Sequence, residues 1–165
     1  MRTEDPALPP TGLLSADDFR KAVAMVPLVS IDLLLRNSWG AYLLGLRVNP
    51  PARDTWFVPG GRIRKNESLA HARTRIAREE LGLELPASAW VSRGVYEHFY
   101  QTNFADESGQ ATHYVVLAFE AQLGTAPPDF PRDQHRRYCW MPAASAGSHP
   151  SVHPYTQAYF KERVS

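Results

Sequence analysis

Two kinds of hydrophobic spacing recur along this chain, and together they predict a protein built from both strands and helices. Apolar or alternating runs typical of strands cover 28–35, 41–47, 56–58, 91–104, 112–122 and 138–141. Helical spacing instead begins after Ser15, where Asp18 completes a capping box, again after Ser68, and over 151–164. We therefore expect the α+β class, with a mixed α/β arrangement of its elements.

The middle helix and the glycines before it carry the strongest pattern in the chain. The stretch 60–83 reads GGRIRKNESLAHARTRIAREELGL, a loop at Gly60 and Gly61 followed by a helix that stops at Gly82. Arg75 and Glu79 lie four residues apart, so they are predicted to be neighbours on one helix face.

The spacing of this stretch resembles the Nudix box, a loop and helix that bind a metal ion and a diphosphate. The matching positions are Gly61, Glu67, Arg75, Ala77, Glu79, Glu80 and Gly82. Ile76 stands where that motif has a glutamate. The resemblance implies a Nudix-type α/β/α sandwich with a mixed sheet, and Mg²⁺ as cofactor with Mn²⁺ as an alternative, because carboxylates and phosphates suit such hard cations.

The bulk composition narrows the function classes. With 165 residues and 44% hydrophobic content, the chain is large enough for one self-standing domain, which we place at 15–165 after a mobile tail over 1–14. A net charge of +1 without basic clusters argues against nucleic acid as a partner. The single cysteine, Cys139, excludes an internal disulfide, and no signal or membrane segment is apparent, so a cytoplasmic protein is expected.

Segments outside the box resemble one Nudix subfamily, the GDP-mannose mannosyl hydrolases, over roughly 19–160. They read VPLVSIDLLLRNSWGAYLLGLRVNPPARDTWFVPGGR, VYEHFYQTNF, THYVVLAFE and DQHRRYCW. This subfamily also lacks a full set of Nudix glutamates. The resemblance implies hydrolysis of GDP-mannose, or GDP-glucose, to GDP and free sugar by attack of water at the anomeric carbon with inversion.

Two other functions stay open. Glu79 is a carboxylate that some of the subfamily lack, and it could support a second metal and ordinary attack at phosphorus, as in a Nudix pyrophosphatase cutting a nucleotide sugar or a nucleoside triphosphate. A protein of this type could instead bind a nucleotide sugar without catalysis, as a sensor.

The resemblance also assigns roles. It implies His135 as general base, since a histidine titrates near neutral pH, and it implies Glu80, Gln134 and a carbonyl of Gly60 or Gly61 as metal ligands, with Gly60 favoured. By its chemistry alone, His135 would be a surface residue of a basic loop, or less readily a metal ligand.

The remaining candidates contact the substrate. Arg47 and Arg62 match arginines that face the diphosphate, although either could be an ordinary surface charge. Asp32 lies inside an apolar strand and matches an aspartate near the sugar; its alternative is a strand-edge position in solvent. His98, Tyr100 and Tyr114 match sugar and phosphate contacts, but aromatic strand residues are often core. The resemblance further implies a homodimer, for which residues 19–35 offer an apolar patch.

Overall fold

Seven strands form one mixed sheet within the part of the chain that the structure describes. The computed structural model describes residues 11–50, 52–124 and 135–161, and for Ser108, His135 and Arg136 it describes the backbone alone. The strands are β1 (Leu28–Arg36), β2 (Ala41–Arg47), β3 (Trp56–Phe57), β4 (Gly60–Arg62), β5 (Val91–Thr102), β6 (Ser108–Gln122) and β7 (His135–Pro142). The helices are α1 (Ala16–Met25), α2 (Leu69–Leu81), α3 (Ala143–Ala146) and α4 (Pro154–Ala158).

The first strand is the centre of the sheet. The strand order is β3-β2-β1-β6-β5, with β4 also paired to β1 and β7 also paired to β2. β1 and β6 run parallel, whereas the other pairs are antiparallel. β1 pairs with β4 over 30–32 and reaches β2 only at Arg36, so β4 takes the place of β2 beside the first half of β1.

Side chains of β1 alternate between two cores on opposite faces of the sheet. Ile31, Leu33 and Leu35 pack with the buried face of α2, whereas Leu34 packs with residues of α3 and of the segment containing α4. Alternation is the geometry of any strand, and here both faces are covered by helices. The expected α/β/α sandwich is therefore confirmed.

Polar residues delimit the two longer helices as their sequence predicts. The side chains of Ser15 and Ser68 accept hydrogen bonds from the N–H groups of Asp18 and His71, respectively. Gly82 ends α2 with a φ of 65°, a left-handed conformation that favours glycine. No helix of the described residues is long and apolar enough to cross a membrane.

Some boundaries differ from the sequence-based expectation. The glycine stretch is not a loop at 60–62, because β1 supplies it with a strand partner, and β7 begins at His135 rather than at 138. The last predicted helix is only α4 within the described residues, since His153 caps it and Pro154 starts it. Residues 1–10 of the predicted tail are outside the description, whereas the Thr11 N–H donates to the Lys65 carbonyl at 3.0 Å.

Gly60 sits where the backbones of β1 and β4 approach too closely for a side chain. A Cβ atom at this position would lie 2.5 Å from Asp32 Oδ1 and 2.6 Å from the Ile31 carbonyl oxygen. One of these neighbours is main chain, which cannot rotate away. Gly60 is therefore required by the sheet as well as by the site that β4 borders.

Replacing Gly60 should consequently damage the fold itself. We expect Gly60→Ala to lower the free energy of unfolding by about 1–3 kcal/mol, because the added methyl group overpacks the β1–β4 contact. Urea denaturation measures the loss. Gly12→Ala is the matched control, since a Cβ there meets nothing within 4 Å. Equal stability of the two variants would contradict this account.

Candidate active site

The predicted site residues converge on one cavity of about 400 Å³ between β1, β4, β5, β6 and α2. Its lining includes the following candidates from the sequence: Asp32, Arg47, Gly60, Arg62, Glu80, His98, Tyr100 and Tyr114. They come from segments far apart in sequence, and the pairing of β1 with β4 and β6 brings several of them together. Gln134 lies outside the described residues. The backbone of His135 pairs with that of Arg47, so the strand carrying it starts beside a cavity residue.

The ladder between β1 and β4 determines where the glycine carbonyls point. The Leu33 N–H donates to the Pro59 carbonyl at 2.8 Å, and the Ile63 N–H donates to the Val29 carbonyl at 2.9 Å. Because hydrogen-bonded pairs alternate along an antiparallel ladder, Gly61 faces β1 and Gly60 faces away from it. The carbonyl of Gly60, not that of Gly61, is thus directed away from the sheet partner.

The guanidinium of Arg75 connects strand β4 to helix α2. Arg75 donates to both carboxylate oxygens of Glu67 at 2.7 and 2.8 Å, to Glu79 at 2.9 Å and to the Arg62 carbonyl at 2.8 Å. Its hydrogen bonds lower the pKa of Glu67, whose side chain is only 4% exposed, and raise that of Arg75. The loop between β4 and α2 is held as one unit.

Glu79 is paired with two cations. Besides Arg75, the guanidinium of Arg64 lies 3.3 Å from its other carboxylate oxygen. The predicted pairing of Arg75 and Glu79 is thus observed. A carboxylate with both oxygens engaged by arginines is a poor candidate for a metal ligand unless those contacts break.

Helix α2 packs an apolar residue against β4 and presents a carboxylate to the cavity one turn later. A Cβ on Gly61 would lie 3.2 Å from a side-chain carbon of Ile76, so Ile76 packs directly against β4. Glu80 follows one turn later on the same face and lines the cavity. Glu80 and the Gly60 carbonyl offer oxygen donors that fit a hard divalent cation sharing its remaining positions with water and phosphate. Within the described ranges, no cluster of three His, Cys, Asp or Glu side chains supplies a full protein cage.

Asp32 is a buried carboxylate in the cavity wall. It is 6% exposed, and its Oδ2 accepts a hydrogen bond of 2.5 Å from the hydroxyl of Tyr159. Burial raises its pKa from 3.8 to about 7, against the opposing effects of the Tyr159 hydrogen bond and the positive charge of Arg47. The solvent-facing alternative for Asp32 is therefore wrong.

An aromatic wall stands beside Asp32. The imidazole of His98 is buried, stacks on the ring of Tyr155 with centroids 4.2 Å apart, and has its Nε2 3.3 Å from the Tyr159 hydroxyl. Burial lowers the pKa of His98 to about 4, with a further contribution from nearby His153, so the ring is neutral at pH 7. Burial also raises the pKa values of Tyr100 and Tyr114, which keeps both phenols protonated as hydrogen-bond donors.

The two predicted arginines both line the cavity. Arg47 ends β2, and its buried Nε has no hydrogen-bond partner among the described residues. The Arg62 guanidinium lies 3.6 Å from the centroid of the Phe19 ring, and burial lowers its pKa. Arg64 and Lys65 add positive charge to the same lining. The cavity therefore suits a ligand that carries several negative charges.

Sequence reasoning missed some contributors. Tyr159 carries no chemical signal in the sequence, yet its hydroxyl contacts Asp32 from 127 positions away. Residues 11–14, assigned to the tail, also line the cavity, as does Phe19. Periodicity alone offers no signal for such long-range contacts. Trp56 and Phe57 are aromatic strand residues of the kind expected in a core. Phe57 is buried in the second core and also lines the cavity.

The fold and the loop–helix site together define a Nudix-type domain, and comparison with known proteins agrees. The NUDIX domain family model matches residues 26–163, so the chain belongs to that family. The low-salt glycan biosynthesis protein Agl8 of Haloferax volcanii is 40% identical over 149 residues, covering 90% of this chain and 92% of that protein.

Solved structures of low identity share the fold. The MutT protein of Methanosarcina mazei Go1 superposes with a TM-score of 0.64 at 21% identity, covering 82% of this chain and 92% of that one. The NUDIX domain of Shewanella oneidensis NrtR, complexed with ADP ribose, superposes with a TM-score of 0.62 at 17% identity, covering 92% and 100%, respectively.

The raised pKa of Asp32 predicts a pH-dependent stability. Between about pH 4 and pH 7 the folded protein keeps a proton on Asp32 that the unfolded chain releases, so this group makes stability fall as pH rises. Asp32→Asn removes the effect, and its stability relative to wild type should grow by up to about 4 kcal/mol from pH 4 to pH 8. Urea titrations in metal-free buffer test it, and a pH-independent difference between the two proteins would contradict the shift.

Proposed function

We propose that this protein is a Nudix hydrolase that cleaves GDP-mannose, or alternatively GDP-glucose, to GDP and the free sugar by attack of water at the anomeric carbon with inversion. The observation that carries the proposal is the surroundings of Ile76 and Glu79 on α2. Ile76 is packed against Gly61, and Glu79 and Glu80 both line the cavity, but both carboxylate oxygens of Glu79 are engaged by arginines. That supports one metal ion on the diphosphate rather than several around a phosphorus atom.

The proposed metal ligands are Glu80, the Gly60 carbonyl and Gln134, with Mg²⁺ as the ion and Mn²⁺ as an alternative. The outward direction of the Gly60 carbonyl and the position of Glu80 support the first two. When bound, such an ion stabilises the negative charge that develops on a departing diphosphate.

The charged residues divide the remaining work. Arg47 and Arg62 bind the diphosphate, since their guanidinium groups face a cavity rich in positive charge. His135 is the general base that takes the proton of the attacking water, and its backbone pairing with Arg47 supports a place near the phosphates. Asp32 binds the sugar, because a carboxylate in the cavity wall can accept hydrogen bonds from sugar hydroxyls.

The uncharged side chains in the cavity wall are better suited to binding the substrate than to taking a proton from water. His98 is neutral, and Tyr100 and Tyr114 keep their protons, so these three side chains suit hydrogen bonds to hydroxyl and phosphate oxygens. This division leaves His135 as the base candidate and the wall as the substrate-binding surface.

The similar proteins support a sugar-linked diphosphate as ligand. The Haloferax protein is named for glycan biosynthesis, in which nucleotide sugars are ordinary donors, and the NrtR domain is complexed with ADP ribose, a nucleotide diphosphate sugar. A ligand of this class has the two phosphates and the sugar that the cavity's arginines and polar wall would bind.

A second candidate is a Nudix pyrophosphatase that cuts a nucleotide sugar at phosphorus. Glu79 favours it, because this carboxylate also lines the cavity and could join a metal if its arginines turned to the phosphates. A nucleotide-sugar sensor without catalysis is the alternative from another class.

A homodimer belongs to the same proposal. The expected patch is supported by exposed apolar side chains at the end of α1 and on β1, namely Met25, Val26 and Val29. Phe99 on the edge strand β5 is exposed as well. Such a surface fits a self-complementary contact between two copies.

Isotope labelling decides between these functions. Turnover of GDP-mannose with Mg²⁺ in ¹⁸O-labelled water should place the label in free mannose and leave GDP unlabelled, as mass spectrometry of both products would show. Label in a phosphate, with GMP and mannose 1-phosphate as products, would establish the pyrophosphatase. Binding without turnover would identify a sensor.

Metal titration separates the two adjacent carboxylates. We expect Glu80→Gln to raise the Mg²⁺ concentration needed for half-maximal turnover by about 10-fold or more, because an anionic ligand is lost. Glu79→Gln is the matched control and should leave that concentration within about threefold of wild type. The reverse order would favour a second metal at Glu79.

A further inference from the structure

Tyr159 reaches Asp32 in the cavity wall from the second core. Its side chain is only 4% exposed, and its ring packs in the second core. The hydroxyl is 2.5 Å from Asp32 Oδ2 and 3.3 Å from His98 Nε2. Tyr159 is not part of the cavity lining, so it contacts a cavity residue without facing the ligand itself.

The two oxygens of Asp32 have different surroundings. Oδ2 is engaged by Tyr159, whereas Oδ1 lies beside Gly60, at 2.5 Å from where a Cβ of that residue would stand. An aspartate side chain can rotate about two bonds, and a hydrogen bond to one oxygen removes most of that freedom. The contact with Tyr159 therefore fixes Oδ1 on the side of the glycine strand that borders the cavity.

Tyr159 is itself held firmly. Tyr96 packs edge-on against its ring with centroids 4.6 Å apart. The helix before it is anchored to the edge of the sheet, because the Tyr155 hydroxyl accepts from the Phe99 N–H and donates to the Phe99 carbonyl, both at 2.7 Å. When Asp32 is ionised, the single hydroxyl proton of Tyr159 points to it, and neutral His98 can donate its own Nε2 proton to the phenol oxygen.

We propose that Tyr159 is a positioning residue that orients the Asp32 carboxylate toward the sugar-binding part of the cavity. The inference rests on the proposed function, in which Asp32 contacts the sugar. Tyr159 makes no substrate contact, and its effect passes through the Asp32 carboxylate. A misdirected carboxylate would still allow the diphosphate to bind to the arginines but would hold the sugar poorly for attack.

A double-mutant cycle tests this inference on the full-length protein with GDP-mannose and Mg²⁺. We expect Tyr159→Phe to lower kcat by about 10- to 100-fold while KM changes by less than about threefold. Tyr96→Phe is the matched control, since it removes a hydroxyl from the ring that packs against Tyr159, and that hydroxyl donates to the Arg93 carbonyl at 3.4 Å rather than to Asp32. Its kcat should stay within about twofold of wild type.

Comparing the double variant Tyr159→Phe/Asp32→Asn with Asp32→Asn alone tests whether Tyr159 acts through the carboxylate. If Tyr159 acts through the carboxylate, the double variant should match Asp32→Asn within about twofold. Losses that multiply across the two sites, or a Tyr159→Phe variant as active as wild type, would overturn the inference. The comparison within the Asp32→Asn background decides even if Tyr159→Phe alone is unstable, because no buried carboxylate is then left unpaired.

The labelled products of the wild type, analysed in the same assay, keep this inference apart from the proposed function. If water attacks carbon but the effect of Tyr159→Phe is independent of Asp32, only the positioning role is overturned. Phosphorus attack overturns the proposed reaction, and the same cycle, run on that reaction, still decides whether Tyr159 acts through Asp32. Absence of turnover would overturn both.

Discussion

The guanidinium of Arg75 is the contact on which the site depends. It joins Glu67, Glu79 and the backbone of Arg62, and so connects the strand β4, the loop after it and the helix α2. The pair with Glu67 is largely buried, and breaking such a pair by removing one partner typically costs about 3–5 kcal/mol. This contact therefore fixes β4 and its loop relative to the helix that carries Glu80.

A second constraint comes from burying Asp32 in the sheet. The carboxylate is retained in an apolar strand because Tyr159 donates to it and Arg47 lies near enough to lower its pKa. These contacts offset only part of the desolvation cost, since its pKa still rises to about 7. A costly group kept in a cavity wall is typical of a functional site, where binding takes precedence over stability.

Much of the fold could be predicted from sequence because its signals are local. Ser68 and Gly82 delimit α2, and the nearly continuous apolar run of β1 indicates a strand that is buried on both faces. The sequence-based account was incomplete where partners are distant. Gly60–Arg62 became a strand because β1 runs beside it, and the final helix is short because His153 and Pro154 begin it late. The catalytic and metal-binding roles, including those of His135 and Gln134, stay predictions.

The sequence by itself determined most of the strands, the two longer helices, the helix of the Nudix motif and the kinds of chemical group available to the site. Those features depend on neighbours a few positions apart. Only the tertiary structure decided that Gly60 rather than Gly61 turns its carbonyl away from β1. It also decided that two arginines form ion pairs with Glu79 and that the Tyr159 hydroxyl donates to Asp32. Hydrogen-bond direction, burial and pKa depend on which distant segments pack together, and that arrangement exists only once the chain has folded.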